Sequence, residues 1–150
     1  MKKLLLFAAL VSTFAFGNDV KVPDDVSSAF AKKFPNAEVI KWEKQFNHYQ
    51  VEFTQNNVAM TALFNDEGEC VETATYIKKD DLPENTLEEI DMHYVNGMII
   101  SSRKAKDSKS TNFYRVTVET GEAFFFLKVD EEGDIIDTSV RYLTQNTTGK

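Results

Sequence analysis

The sequence predicts an α+β fold: a tandem repeat of one helix plus a four-stranded antiparallel meander, with both helices on one face of an open, continuous sheet of about eight strands. Three observations lead there. First, "VPDDVSSAFAKKFPNAEVIKW" from Val22 resembles "LPENTLEEIDMHYVNGMIISS" from Leu82, at an offset of sixty. Second, "HYQVEF" at His48 resembles "FYRVTV" at Phe113, and "NDEGECVETAT" at Asn65 resembles "DEEGDIIDTSV" at Asp130, at an offset of sixty-five. Third, within each copy the apolar period changes once, from helical spacing to strict alternation. The first repeat is expected over 18–80 and the second over 81–150, together one compact domain.

Composition fits this. The chain has 150 residues, 42% hydrophobic and 12% aromatic, which is enough to build a core. The 24 acidic against 17 basic residues give −7, and an acidic excess repels nucleic acid. One cysteine, Cys70, excludes an internal disulfide framework.

The elements follow in order. Residues 1–17 read as a signal peptide: Lys2 and Lys3 form the basic start, an apolar stretch follows, and Ala15 and Gly17 place small residues at −3 and −1 of a cleavage site. No cysteine follows for lipid attachment, and no later stretch is apolar enough to cross a bilayer. The expected product is periplasmic or secreted, with no membrane insertion after cleavage. The first helix starts after Pro23, whose preset φ suits a helix start. Val26, Ala29, Phe30 and Phe34 form its stripe, and Pro35 ends it. The second helix starts after Pro83, carries Leu87, Ile90 and Tyr94, and stops at Asn96-Gly97. In the strands that follow, Ile40 and Trp42 are expected to share a face. So are Tyr49, Val51 and Phe53, then Val58, Met60, Ala62 and Phe64. In the second copy the matching set is Tyr114, Val116 and Val118, then Phe125, Leu127 and Val129. Asp66-Glu67-Gly68 and Glu131-Glu132-Gly133 are tight turns. The extra five residues of the second copy are assigned to a polar, basic loop from 103 to 112.

The helix opened by "VP", then "AFAKKFPNA", "IKWE", "YQVEF", "NDEGE" and "ETAT", together resemble the PepSY-like, or beta-lactamase-inhibitor-like, family of small exported bacterial proteins. Phe34-Pro35-Asn36-Ala37 with Trp42-Glu43 is the most specific part. The second copy departs from it, with Val95 in place of the proline and Ser102 in place of the tryptophan. The resemblance implies tandem helix-plus-meander units with a concave open sheet face. It also implies a binding role, by analogy with beta-lactamase inhibitor protein and with PepSY domains held to inhibit or chaperone peptidases.

The residues offer no catalytic constellation, so an enzyme is not expected. Cys70 has no activating partner and reads as a small strand residue. No serine has a nucleophile-elbow pattern. Glu89 and His93, four apart on a helix, make at most half a zinc site. The acidic turns lack alternating calcium ligands. No cofactor or metal is therefore expected.

Binding is better supported. The sheet face away from the helices should carry His48, Gln50 and Glu52, then Ala59, Thr61 and Leu63. In the second copy it should carry Phe113, Arg115 and Thr117, then Phe124, Phe126 and Lys128, with Tyr76, Asp137 and Arg141 from the closing strands. The "AFFFL" run is apolar on both faces, which a half-exposed strand normally avoids. Two readings explain the surplus: burial under another segment, or an aromatic patch with nearby arginines, the composition of interface centres. Trp42 is open to two readings as well, core or surface anchor. The expected binding residues are Phe124, Phe126, Arg115, Arg141, Tyr76, Phe113 and Leu63. The expected partner is an envelope or extracellular protein, an enzyme or peptidase it restrains. A small-molecule or ion-binding envelope module, or a homodimer through the same face, is the alternative.

Overall fold

A computed structural model describes residues 20–143; the expected signal peptide lies outside them. Each repeat is one helix and four strands. The first comprises α1 (Asp24–Lys33), β1 (Glu38–Gln45), β2 (His48–Gln55), β3 (Val58–Asn65) and β4 (Cys70–Tyr76). The second comprises α2 (Glu84–His93), β5 (Met98–Asp107), β6 (Asn112–Glu119), β7 (Ala123–Val129) and β8 (Ile135–Tyr142). All eight strands pair antiparallel with their sequence neighbours, in the order β1 to β8, so the sheet runs through the junction of the repeats at β4–β5. The two-repeat α+β architecture expected from the sequence is what forms.

Both helices begin directly after a proline, and both end on an aromatic cap whose backbone N–H donates to the carbonyl four residues back, Phe34 to Phe30 and Tyr94 to Ile90. Asp24 and Asp25 sit in the first turn of α1 and Lys32 and Lys33 in its last, each complementing the helix dipole. α1 buries Val26 and Phe30 against Val51, Phe53, Ala62 and Phe64. α2 buries Thr86 and Ile90 in a second cluster with Val116, Val118, Leu127 and Val129. These are two separate helix-side cores. Between them, the paired Thr73 and Lys106, then Thr75 and Lys104, leave a polar seam.

The repeat extends to its irregularities. The β1–β2 register shifts between Val39 and Lys41, and the β5–β6 register shifts between Ile99 and Ser101, sixty residues on. The β3–β4 shift follows Leu63, and the β7–β8 shift follows Lys128, sixty-five residues on. Each later turn also grips its own helix start. A Cβ on Gly68 would stand 2.8 Å from the Asp25 carbonyl oxygen, and one on Gly133 would stand 2.9 Å from the Pro83 Cβ. Both glycines also hold positive φ, +80 and +98, so no other residue fits either place well. Thr86 Oγ1 donates to the Gly133 carbonyl at 3.1 Å.

Two expectations need correction. Ile40 and Trp42 do not share a face. The bulge at 39–41 leaves Val39 opposite Phe53 and Trp42 opposite Val51 on the helix side, and turns Ile40 outward to 58% exposure. Trp42 packs edge-on to Phe30 at 5.5 Å and is a core residue. The basic segment from 103 to 112 is not a loop. β5 runs through Asp107, leaving a turn at 108–111 whose backbone N–H groups of Lys109 and Thr111 both donate to Asp107 Oδ1, at 2.9 Å each. The reason is pairing: β4 would otherwise be an unpaired edge, Lys104 and Lys106 have stems long enough to carry their charges to water from a central strand, and Arg103 is held by Thr61 on the other face.

Candidate binding face

The pairing register fixes which side chains share the face opposite the helices. Leu63 lies beside Glu72, Glu72 beside Asp107, and Tyr76 beside Arg103. Arg103 lies beside Arg115, Arg115 beside Lys128, and Lys128 beside Asp137. Thr117, Phe126 and Ser139 form the next row, and Glu119, Phe124 and Arg141 the row after. The centre of this face is built from small buried residues, Thr61, Ala74 and Ala105. They leave a floor over which longer side chains stand as walls.

The walls enclose a trough of about 1370 Å³, which reaches from β1 across to β8. Leu63, Arg103, Arg115, Phe126 and Arg141 line it, with Ile40 and Phe46 at the β1 side. Five basic and two acidic side chains line it in all, on a chain whose net charge is −7. Arg115 is clamped by Glu72 through two bonds, Nη2 to Oε2 at 2.7 Å and Nε to Oε1 at 3.2 Å. That pair joins β4 of the first repeat to β6 of the second, and planar two-point pairing fixes both side chains. Arg103 Nη1 donates to Thr61 Oγ1 at 3.1 Å, across the same junction. Arg141 lies over both Phe124 and Phe126, at 5.2 and 5.6 Å from the ring centres.

The expected site residues divide accordingly. Leu63, Arg115, Phe126 and Arg141 meet in the trough. Phe124 is half-buried one row further along β7. Tyr76 stands in a neighbouring shallow depression with Ile77, Ile99 and Ile100. Its hydroxyl donates to Glu52 Oε1 at 3.2 Å; burial first, and the Glu52 carboxylate second, raise the phenol pKa. Phe113 is buried under Arg115 and Lys128, at 5.0 and 4.4 Å from its ring centre. It supports two trough-side cations from below rather than presenting a surface.

Several trough residues escaped the sequence reading, among them Glu72, Arg103 and Phe46. Arg103 was hidden by the loop assignment, although Arg103 and Ala105 alternate with Lys104 and Lys106 as a strand would. Phe46 is 98% exposed at the β1–β2 turn and holds φ of +54, a backbone region that bulky residues avoid. An aromatic at a two-residue hairpin position, where glycine or asparagine is usual, was the available signal.

The other chemical candidates resolve plainly. Cys70 is half-buried, its thiol pKa pushed up by burial, and its Sγ points to the Glu72 carbonyl at 3.5 Å. Glu89 and His93 lie 4.0 Å apart on an exposed helix face. The acidic turns are closed by side chains: Asn65 Oδ1 accepts the Glu67 and Glu69 N–H groups, and Asp130 Oδ1 accepts that of Asp134. Among the described residues, no group of three or more His, Cys, Asp or Glu side chains is placed to hold a metal, and no helix is long and apolar enough to cross a membrane.

A helix-plus-meander unit repeated once, with a single sheet running through both copies and one face left open, defines the class of two-repeat α+β proteins to which this fold belongs. The chain belongs to the family described as "Putative beta-lactamase-inhibitor-like, PepSY-like", which it matches over 18–62 and 47–137. Among solved structures, it is similar to a BLIP-like protein from Bacteroides fragilis, at 21% identity and a TM-score of 0.57, over 86% of this chain and 93% of that one. A DUF2874 family protein from Bacteroides ovatus is 22% identical with a TM-score of 0.60, over 82% and 89%. A periplasmic protein from Bacteroides eggerthii, so described without proof, is 17% identical with a TM-score of 0.62, over 79% and 88%. At these identities the likeness is one of fold. No curated protein matches the sequence.

Proposed function

We propose that this protein is an exported, non-enzymatic binding module that holds a protein partner in the trough of its open sheet face, restraining an envelope or extracellular enzyme. The observation that carries the reading is the trough itself. Arginines with fixed positions flank Phe126 and Leu63 on a face that helices do not cover, an arrangement suited to a partner surface with apolar and acidic side chains. The family's inhibitor-like description supports the same reading. Export rests on the signal-like residues 1–17 and on the periplasmic description of one structural relative.

The test is affinity capture from the envelope fraction with residues 18–150 as bait. The expected result is one enriched protein that binds the wild type and is lost with the Phe124→Ala/Phe126→Ala variant. Its enzymatic activity, where it has one, should fall as the bait is added. A partner held equally by both baits would remove the trough from the proposal. Loss of binding with no change in the partner's activity would keep the module and remove the restraint.

A further inference from the structure

The two edges of the sheet differ. β1 is interrupted by its bulge between Val39 and Lys41, and the lysine beside the bulge is already paired: Lys41 lies 3.1 Å from Glu43 and 3.5 Å from Glu52. A bulge and edge lysines are the usual devices that stop a strand from pairing further. β8 has neither lysine nor proline, and its bulge lies at its start, before Asp137. From 137 to 142 the strand is regular and exposed throughout, and among the described residues no strand pairs with its outer edge.

The sequence of this edge is complementary to itself. Let two copies meet antiparallel, with Ser139 of each opposite Ser139 of the other. Asp137 then stands opposite Arg141 and Arg141 opposite Asp137, two ion pairs on the open face. On the helix side Thr138 stands opposite Val140, and Tyr142 of each copy reaches past the regular segment toward the bulge of the other. Val140 and Tyr142 are 42% and 76% exposed in the single chain. No alignment of one residue type is needed, because a twofold axis through Ser139 produces every pair twice. Slipping the register by one residue sets Asp137 against Val140 or Tyr142, and moving the axis by a whole residue sets it against Ser139 or Leu143; each loses both ion pairs.

We propose that the outer edge of β8 is the docking surface for a second copy of this chain, giving a twofold dimer with one continuous sixteen-stranded sheet and a trough in each half. Backbone hydrogen bonds along 137–142 supply the association, and the Asp137–Arg141 pairs set its register. The surface shares Ser139 and Arg141 with the β8 rim of the trough, and the proposal does not depend on a trough partner.

The test begins with the mass of residues 18–150 in solution over a concentration series, by sedimentation equilibrium. A dimer is expected at micromolar concentrations. Asp137→Arg, which sets four positive charges across the axis, should weaken it roughly tenfold or more. The Asp137→Arg/Arg141→Asp double exchange should restore it, which also shows that the single variant did not merely misfold. In a Cys70→Ser background, Ser139→Cys should oxidise to a disulfide-linked dimer, since opposed antiparallel residues sit about 4.5–5.5 Å apart at Cα, within disulfide reach. Asp137→Cys alone should not. A monomer at all concentrations, a dimer indifferent to both exchanges, or cross-linking at 137 in place of 139 would each overturn the proposal.

Discussion

The two repeats share a backbone, including its bulges, and distribute their aromatic residues in opposite ways. In the first repeat the rings are under the helix: Phe30, Phe34, Trp42, Phe53 and Phe64 contact one another with centres 4.7 to 6.4 Å apart. In the second, that space holds Ile90, Val116, Val118, Leu127 and Val129, with a single ring pair, Tyr94 and Phe125. On the open face the order reverses. Ala59 and Thr61 in β3 correspond to Phe124 and Phe126 in β7. The framework asks for apolar volume on the helix side and leaves its identity free. The open face carries no such demand, so there the second repeat accommodates rings and an arginine stacked on them.

The comparison breaks most readily at the aromatic core. Phe53 is fully buried and touches Phe30 at 5.1 Å and Phe34 at 4.7 Å. Phe53→Ala should cost about 3–5 kcal/mol, by lost transfer energy and the cavity left behind. Leu127→Ala, fully buried in the aliphatic core, should cost about 2–5 kcal/mol. The informative measurement is denaturant unfolding of both, followed by Trp42 fluorescence and by far-ultraviolet circular dichroism. If the repeats unfold together, Leu127→Ala shifts the Trp42 transition although Trp42 lies in the other core. Two transitions would show the cores to be independent.

What joins the repeats is the next target. The helix-side cores are separate, so coupling passes through the β4–β5 pairing, Ala74, Ala105 and Phe113, the Arg103–Thr61 hydrogen bond and the Glu72–Arg115 clamp. Glu72→Ala removes a two-point charge-assisted pair. With the Arg115 side chain about a third exposed, water recovers part of the loss, and about 1–2 kcal/mol of stability should go. Thermal unfolding reads this. The same variant should also free Arg115, so trough binding should weaken by more than stability alone accounts for.

Most of the architecture was legible because it rests on periods. Val26, Phe30 and Phe34 mark a helix face, and Tyr49, Val51 and Phe53 mark a strand face, whatever surrounds them. The open face followed by alternation, and the pairing register sets those residues side by side. What did not show was any feature created by a break in period. The bulge at 39–41 shifts Ile40 to the opposite face with no proline or glycine to announce it. The Arg103-Lys104-Ala105-Lys106 strand was read as loop because its charges outweighed its alternation. Only a neighbour's need for a partner, which lies thirty residues back in β4, turns that segment into a strand. Phe113 fits its predicted face, but its burial depends on two cations folding over it, which no local pattern records.

The smallest effect concerns the position where the repeats differ most sharply. Ser102 stands where the first repeat has Trp42, since Ser102 faces Val116 as Trp42 faces Val51. It is 4% exposed, and its Oγ has no hydrogen-bond partner among the described residues. A buried hydroxyl without a partner carries a desolvation cost that nothing returns. Ser102→Ala removes the oxygen and leaves the methyl-sized volume, so it should raise stability, by up to about 1 kcal/mol. The expected readout is a rise of a few degrees in Tm, of the order that about 1 kcal/mol gives in a domain of this size. A fall in Tm would mean that the hydroxyl is satisfied in solution. The polar seam between the two helices would then be part of what holds the second repeat's first strand in place.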